Sequence, residues 1–310
     1  MLRPALWFLT AVLLPLGSVC HSEEWQQDSK LSIRARKPDS RSSPTLRADV
    51  SLILVPVSVT DVYDRPIMAL PKESFRVLED GVEQNIVTFS REETPVSMGL
   101  LFDTSGSMKN RLAASLEAIK HVFEGSMPGD EFFVVQFADQ ARALGGFTSD
   151  PEEIQSRLGM VEARGWTALL DAVAMGTHQM KKAKNRRRVL LVLSDGNDNN
   201  SRFSESEIRS MVIEGDVRVY AVALNYRPRL LRQLADETGG KVLVAQTMAE
   251  LPDVVQRLSA EIRSQYILGY SSKNEQNDGK YRRVKVEVVQ PAGAPKINAA
   301  WRRGYYAPPE

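Results

Sequence analysis

Within Met98–Met108, MGLLFDTSGSM, three oxygen-bearing side chains stand at alternate positions. Asp103, Ser105 and Ser107 form D-x-S-x-S at the exit of a short apolar run, where a loop can turn one carboxylate and two hydroxyls toward one point. These are hard oxygen donors, the kind Mg²⁺ or Mn²⁺ prefers. Two further segments carry the same chemistry. Gly165-Trp166-Thr167-Ala168 opens an expected helix, and Leu193-Ser194-Asp195-Gly196 ends the most apolar strand expected in the chain. If the first and third strands are neighbours, Asp103, Ser105, Ser107, Thr167 and Asp195 can surround one ion. Mg²⁺ takes about six oxygens and keeps several waters. Hydroxyls from Ser105, Ser107 and Thr167 are neutral ligands, while Asp103 and Asp195 supply charge, directly or through water. An ion so poorly neutralised is strongly electrophilic, and an open position on it attracts a carboxylate from a partner. Gly106 and Gly196 suit tight loops where backbone approaches closely.

The elements that must position these groups alternate between strand and helix over 95–265. Expected strands are Met98–Phe102, Glu131–Phe137, Val189–Leu193, Val217–Ala223 and Lys241–Val244, with an edge hairpin at Ala141–Phe147. Leu112, Leu116, Ile119 and Phe123 recur at helical spacing, as do Leu169, Val173 and Met180 in the helix expected over 168–183. Ser204–Val212, Leu230–Glu237 and Ala249–Ser264 complete the helices. The continuously apolar runs Met98–Phe102 and Val189–Leu193 read as strands covered on both faces. Such alternation implies an α/β fold with a doubly wound, mostly parallel sheet and helices on both faces. In such sheets, ligand sites collect at the carboxyl ends of the strands.

Both flanks are β-rich. Ser74–Leu78 and Gln84–Phe89 bracket Glu79-Asp80-Gly81-Val82, a hairpin signal. This segment is either a small sandwich-like module or a β extension of the next domain. After Gln265, Tyr266–Tyr270, Arg283–Val289 and Lys296–Trp301 return to β character. At the N-terminus, Arg3 precedes the apolar run Ala5–Leu16 and the small residues Gly17 and Ser18. That is signal-peptide grammar, and the run is short for a membrane span. The organisation reads as signal peptide 1–22, disordered spacer 23–47, β-rich module 48–94, α/β domain 95–265 and β-rich C-terminal extension 266–310. The mature chain carries no expected transmembrane span. Cys20 is the one cysteine in 310 residues, so no intrachain disulfide can form and the fold must rest on its core.

A net charge of +1 gives no global field toward nucleic acid. The basic run Lys181, Lys182, Lys184, Arg186, Arg187 and Arg188 reads as a solvated helix end whose cations complement the dipole. His121 and His178 sit in helical stretches without other ligands at zinc spacing. Trp166 is either a packing residue or part of a contact surface. Asp198, Asn199 and Asn200 lack the spacing of a calcium loop and read as a polar rim.

The pattern DTSGSM, GWTALLDA and LSDGNDN resembles the metal-ion-dependent adhesion site of von Willebrand factor type A domains, over the whole 95–265 block. The resemblance implies Asp103, Ser105, Ser107, Thr167 and Asp195 as a Mg²⁺ shell, with the ion bridging to an Asp or Glu of a protein ligand. It also implies a mobile C-terminal helix, here Ala249–Ser264. With FRVLEDGVEQNIVTF, QYILGY and RRGYY included, nearly the whole mature chain resembles the VWFA-related Acidobacterial domain family, which consists of exported bacterial proteins. That resemblance sharpens fold and compartment (periplasmic, secreted or envelope-associated) more than activity.

The expectation is therefore an exported, metal-dependent adhesion or scaffold module that is not an enzyme. The alternatives are a Mg²⁺-dependent hydrolase or phosphatase, or an inert envelope scaffold. A phosphatase of the haloacid dehalogenase type needs a second acid at the position of Ser105. The chain has neither G-x-S-x-G nor a phosphate-binding G-x-x-x-x-G-K-[ST] loop.

Overall fold

The computed structural model describes residues 52–91, 94–195, 198–224, 228–290, 293 and 295–309. The expected signal peptide and spacer lie outside these residues. In chain order the lead contains β1 (Leu52–Thr60), β2 (Phe75–Glu79), β3 (Val82–Gln84) and β4 (Ile86–Ser90). The alternating block contains β5 (Val96–Asp103), α1 (Leu112–Glu124), β6 (Glu131–Phe137), β7 (Ala141–Ala143), α2 (Pro151–Leu158), α3 (Leu169–Met180), β8 (Arg187–Ser194), α4 (Glu205–Glu214), β9 (Arg218–Leu224), α5 (Arg229–Thr238), β10 (Val242–Ala245) and α6 (Leu251–Arg263). The tail adds β11 (Tyr266–Ser271), β12 (Tyr281–Val288), β13 (Asn298–Trp301) and β14 (Gly304–Tyr306).

A six-stranded sheet runs in the order β10-β9-β8-β5-β6-β7. Every pair in it is parallel except β6–β7 at the edge. All of β5 and the last six residues of β8 are buried, which is why both read as unbroken apolar runs. Alternate side chains feed two cores. Met98, Leu100 and Phe102 pack with Ile119 and Val122 of α1 and Val255 and Leu258 of α6 on one face. On the other, Leu101 and Leu190 pack with Val173 of α3, Val212 of α4 and Leu231 of α5. Doubly wound packing thus follows directly from the sequence pattern.

The helix α2 has no counterpart in the sequence reading. Its eight residues carry only Ile154 and Leu158 as buried residues, too few to show a helical period. The available signal was its start, where the Asp150 carboxylate accepts the Glu152 N–H (2.9 Å) and Pro151 follows.

The two β-rich flanks share strands. One four-stranded sheet has the order β13-β1-β11-β4, the other β14-β12-β2-β3. Val55, Val57, Tyr266 and Leu268 of the first pack with Phe75, Val77, Val284 and Val286 of the second. Asp80 (φ 47°) and Gly81 (φ 85°) form the turn between β2 and β3, both left-handed as a tight hairpin with right-handed strand twist requires. The expected strand Gln84–Phe89 is corrected: it is two strands. β3 ends at Gln84, whose buried amide oxygen accepts the Lys273 N–H (3.0 Å), and after Asn85 the chain crosses to pair with β11 in the other sheet.

Ionic contacts join the sandwich to the α/β block. The Lys241 ammonium lies 2.7 Å from Asp64 and 3.0 Å from Glu261, and Arg302 lies 2.7 Å from Asp216. The end of α6 is clasped as it enters β11: Arg187 donates to the Ile262 carbonyl, and Arg263 pairs with Asp130 at 2.7 Å. Among the described residues no helix is long and apolar enough to cross a membrane.

Within the sandwich the buried Glu79 carboxylate accepts hydroxyls from Tyr270 (2.7 Å), Tyr305 (2.8 Å) and Ser272. Burial and the adjoining carboxylate push both phenols well above their ordinary pKa, so they stay protonated donors. Tyr270→Phe keeps the ring but removes one donor from a buried anion. It should cost about 1–3 kcal/mol in urea unfolding, with no change at the remote carboxyl end of the parallel sheet.

Candidate metal centre

The carboxyl ends of β5 and β8 lie side by side, with Phe102 paired in register with Leu193. Asp103 and Ser194 therefore meet at the sheet's end, and Asp195 follows one residue on. Asp103 is fully buried. Its carboxylate accepts the Ser105 N–H at 2.8 Å and the Ser194 hydroxyl at 2.5 Å. The Ser105 and Ser107 hydroxyl oxygens lie 3.0 Å apart. Ser105 and Ser107 flank the start of a short 3-10 turn, Gly106–Met108, which folds the alternating side chains onto one side.

Thr167 is delivered by backbone hydrogen bonds between loops. The Gly106 N–H donates to the Gly165 carbonyl (2.9 Å), and the Arg164 N–H to the Thr104 carbonyl (2.9 Å). A side chain on Gly106 would put its Cβ 3.3 Å from that Gly165 oxygen, so the close approach expected there is present. Gly196 lies outside the described residues. The left-handed conformation falls instead on Gly165 (φ 78°), where a Cβ would sit 2.3 Å from the Asp139 carboxylate.

Asp139 escaped the sequence reading, and the rim residues Asp198, Asn199 and Asn200 carry bracing roles it did not assign. Asp139 accepts the Trp166 N–H (2.7 Å), and its carbonyl accepts the Asn200 amide (2.8 Å). Asn199 accepts the Thr167 N–H (2.8 Å), while the Thr167 carbonyl accepts the Asn199 and Asn200 N–H groups. Asp198 accepts the Leu169 N–H (2.8 Å) at the start of α3 and the Ser201 hydroxyl (2.5 Å). The loop 198–200 is therefore a brace for Thr167 and α3 as well as a polar rim. Helix-capping chemistry at Asp198 carried no local signal, because the helix it serves begins 29 residues earlier. Trp166 is 65% exposed, which decides its reading against core packing.

The electrostatics are unbalanced in a specific way. Burial pushes the Asp103 carboxyl above its ordinary range; hydrogen bonds from Ser194 and Ser105 oppose that, and the Asp195 charge adds to it. Asp195 has a cationic neighbour, Arg111 at 3.4 Å. Among the described residues no Lys or Arg pairs with Asp103. No cluster of three His, Cys, Asp or Glu side chains able to hold a metal occurs among them either. A cation here would have to use hydroxyls beside the two carboxylates. That donor set, all oxygen and partly neutral, fits Mg²⁺ or Mn²⁺ and does not fit a soft metal.

Gly165→Ala should cost about 1–3 kcal/mol through its left-handed backbone and the Asp139 clash. Gly146→Ala, facing open space, should stay within about 0.5 kcal/mol. Urea denaturation of the two variants checks the difference.

A family model described as von Willebrand factor type A domain matches residues 98–197, the span that holds all five expected ligand positions. The chain is 26% identical over 163 residues to the inter-alpha-trypsin inhibitor heavy chain H4 of pig (Sus scrofa); the match spans 47% of this chain and 18% of that much longer protein. A von Willebrand factor type A protein from Catenulispora acidiphila superposes with a TM-score of 0.52 at 15% identity, covering 83% of this chain and 75% of its own. Proximal thread matrix protein 1 from the mussel byssus, solved with a zinc-occupied MIDAS motif, gives a TM-score of 0.52 at 17% identity, covering 60% of this chain and 50% of its own. With the parallel sheet and helix order in agreement with the matched span, residues 98–197 of this chain carry a von Willebrand factor type A domain.

Proposed function

We propose that this protein is a metal-dependent protein-binding module of the adhesion or scaffold type. Asp103, Ser105, Ser107, Thr167 and Asp195 would hold one divalent cation, Mg²⁺ or Mn²⁺, and the ion would accept an Asp or Glu side chain from a protein partner. One observation carries this reading: Asp103 is a wholly buried carboxylate whose described partners are neutral donors, with a second carboxylate close enough to raise its pKa. A buried anion without a counterion is costly, and a bound cation removes that cost. When bound, the cation supplies a Lewis-acidic contact for an incoming carboxylate. The chain's own part is to fix the loops: Gly106 to Gly165, Asn199 to Thr167, and Ser194 to Asp103. The zinc-occupied motif of the byssus protein supports the idea that this fold accommodates a divalent ion at such a position. The apolar run Ala5–Leu16 supports placing the module outside the cytoplasm, in the envelope or beyond.

Isothermal titration of the purified chain with MgCl₂ should show saturable binding at one site, abolished by Asp103→Ala. Equal heats from wild type and variant would overturn the reading. The pH dependence has a fixed sign. Because the folded pKa of Asp103 is raised, its contribution to stability is present below the unfolded carboxylate value of about 3.9 and is lost as pH rises through the raised value. Cation binding needs the ionised form. The thermal shift given by Mg²⁺ should therefore shrink as pH falls toward acid, in differential scanning fluorimetry over a pH series.

A further inference from the structure

The basic run Lys181–Arg188 joins the end of α3 to the start of β8, at the amino end of the parallel sheet. About 23 Å of strand, at roughly 3.3 Å per residue, separates it from Ser194 at the other end. Lys181 and Lys182 close the last turn of α3 through the His178 and Gln179 carbonyls, as cations at a helix end should. Lys184 and Arg186 lie beyond that turn, so the helix end accounts for only part of the run. The loop is pinned from beneath. The buried Glu131 carboxylate accepts the Lys184 N–H (2.6 Å) and the Ser97 hydroxyl (2.6 Å), and the Asn185 amide donates to the Gly129 carbonyl (3.0 Å). Glu131 thereby faces backbone and hydroxyl donors while the ammonium groups stand outside. Lys181, Lys182, Lys184 and Arg186 are all exposed, and none pairs with a described acid.

Positive charge continues behind this loop. Arg187 donates to the Thr94 and Ile262 carbonyls, Arg188 to the Gly215 carbonyl and Arg218 to the Gln265 amide oxygen, so these guanidinium groups meet neutral acceptors. Burial pushes the Arg187 guanidinium down to about 10, and the charges of Arg218 and Arg263 push the same way. The acids of this end are mostly engaged. Asp130 holds Arg263, Glu124 holds His121 and Asp216 holds Arg302, which leaves Glu214 exposed and unpaired among the described residues. Glu92 and Glu93 lie outside the described residues. With all of these acids counted as charged, cations still outnumber them here.

We propose that this amino end of the sheet is an electrostatic docking surface for an anionic phospholipid bilayer. The run is a single loop without an aromatic side chain, so it offers neither a track nor a stacking platform for a nucleic acid. Lysine ammonium groups are point charges that need no fixed partner geometry, which suits a fluid layer of phosphate headgroups. The apolar run Ala5–Leu16 takes the chain to a membrane in the export reading, which gives the surface a bilayer to meet. Docked this way, the amino end faces lipid and the carboxyl end of the sheet faces outward. The inference goes beyond the metal site and stands without it.

The test is co-sedimentation of the full chain with vesicles, without Mg²⁺. Neutral vesicles are phosphatidylcholine; anionic ones carry about a third phosphatidylglycerol, enough for a negative surface potential. Any insertion of Ala5–Leu16 is common to both and cancels in the ratio. Wild type should bind the anionic vesicles at least about tenfold more tightly, since each Lys or Arg near such a surface is worth roughly fivefold. Raising the salt from about 0.05 M to about 0.5 M should remove the difference. Lys181→Glu, Lys182→Glu, Lys184→Glu and Arg186→Glu together should abolish the preference. A control with the exposed Lys72, Arg142, Arg232 and Lys296 changed to Glu has the same net charge and should keep most of it. Thermal melts check that both variants fold. The corresponding Gln variant of the loop, which removes charge without reversing it, serves if the Glu set unfolds, and it too should lose the preference. Equal binding to both vesicle types, a preference that survives the loop variants, or an equal loss in the control overturns the inference. So does capture of heparin or an oligonucleotide by a chain that ignores anionic vesicles.

Discussion

A fully buried carboxylate governs the carboxyl end of this sheet. Asp103 sits at the end of a strand buried along its whole length, and its oxygens meet a backbone N–H and a hydroxyl. Neutral donors lessen the cost of burying charge without cancelling it. The pressure on Asp103 appears as a raised pKa, with Asp195 adding to it. Everything around the site either tolerates that anion or holds the groups that would share a cation with it.

The scaffold meets this demand through redundancy of backbone hydrogen bonds. Three loops converge, and none is held by its own sequence alone. The Ser105–Ser107 turn leans on Gly165, the Thr167 loop leans on Asp139 and Asn199, and α3 starts on Asp198. Each loop is positioned by a neighbour from another part of the chain, so rigidity at the site is a collective property of the sheet end. The same ties pin the backbone at Trp166 while its side chain stays exposed.

The β-sandwich is bound into this design. The lead strand β1 pairs with β11, which follows α6 almost without a break, and with β13 from the tail. The end of α6 is clasped by Arg187 and by the Arg263–Asp130 pair. The helix that the family resemblance marks for movement thus enters a strand in the middle of a sheet. Any displacement of α6 would be felt directly by the sandwich.

The sequence by itself determined the alternating α/β architecture, because strands buried on both faces must be unbroken apolar runs and helices on such a sheet must carry an apolar stripe. It also determined the chemistry available, since D-x-S-x-S, Thr167 and Asp195 are hard oxygen donors wherever they fall. Local patterns failed where the deciding partner was distant. α2 was too short to show a period, and the strand at Gln84–Phe89 splits because its two halves find different sheets. Asp139, Ser194 and Asp198 gained their roles only from residues tens of positions away. Tertiary structure alone decided that Asp103 is buried with no Lys or Arg paired to it among the described residues and that Trp166 is exposed, because burial and charge balance are set by what the fold brings near.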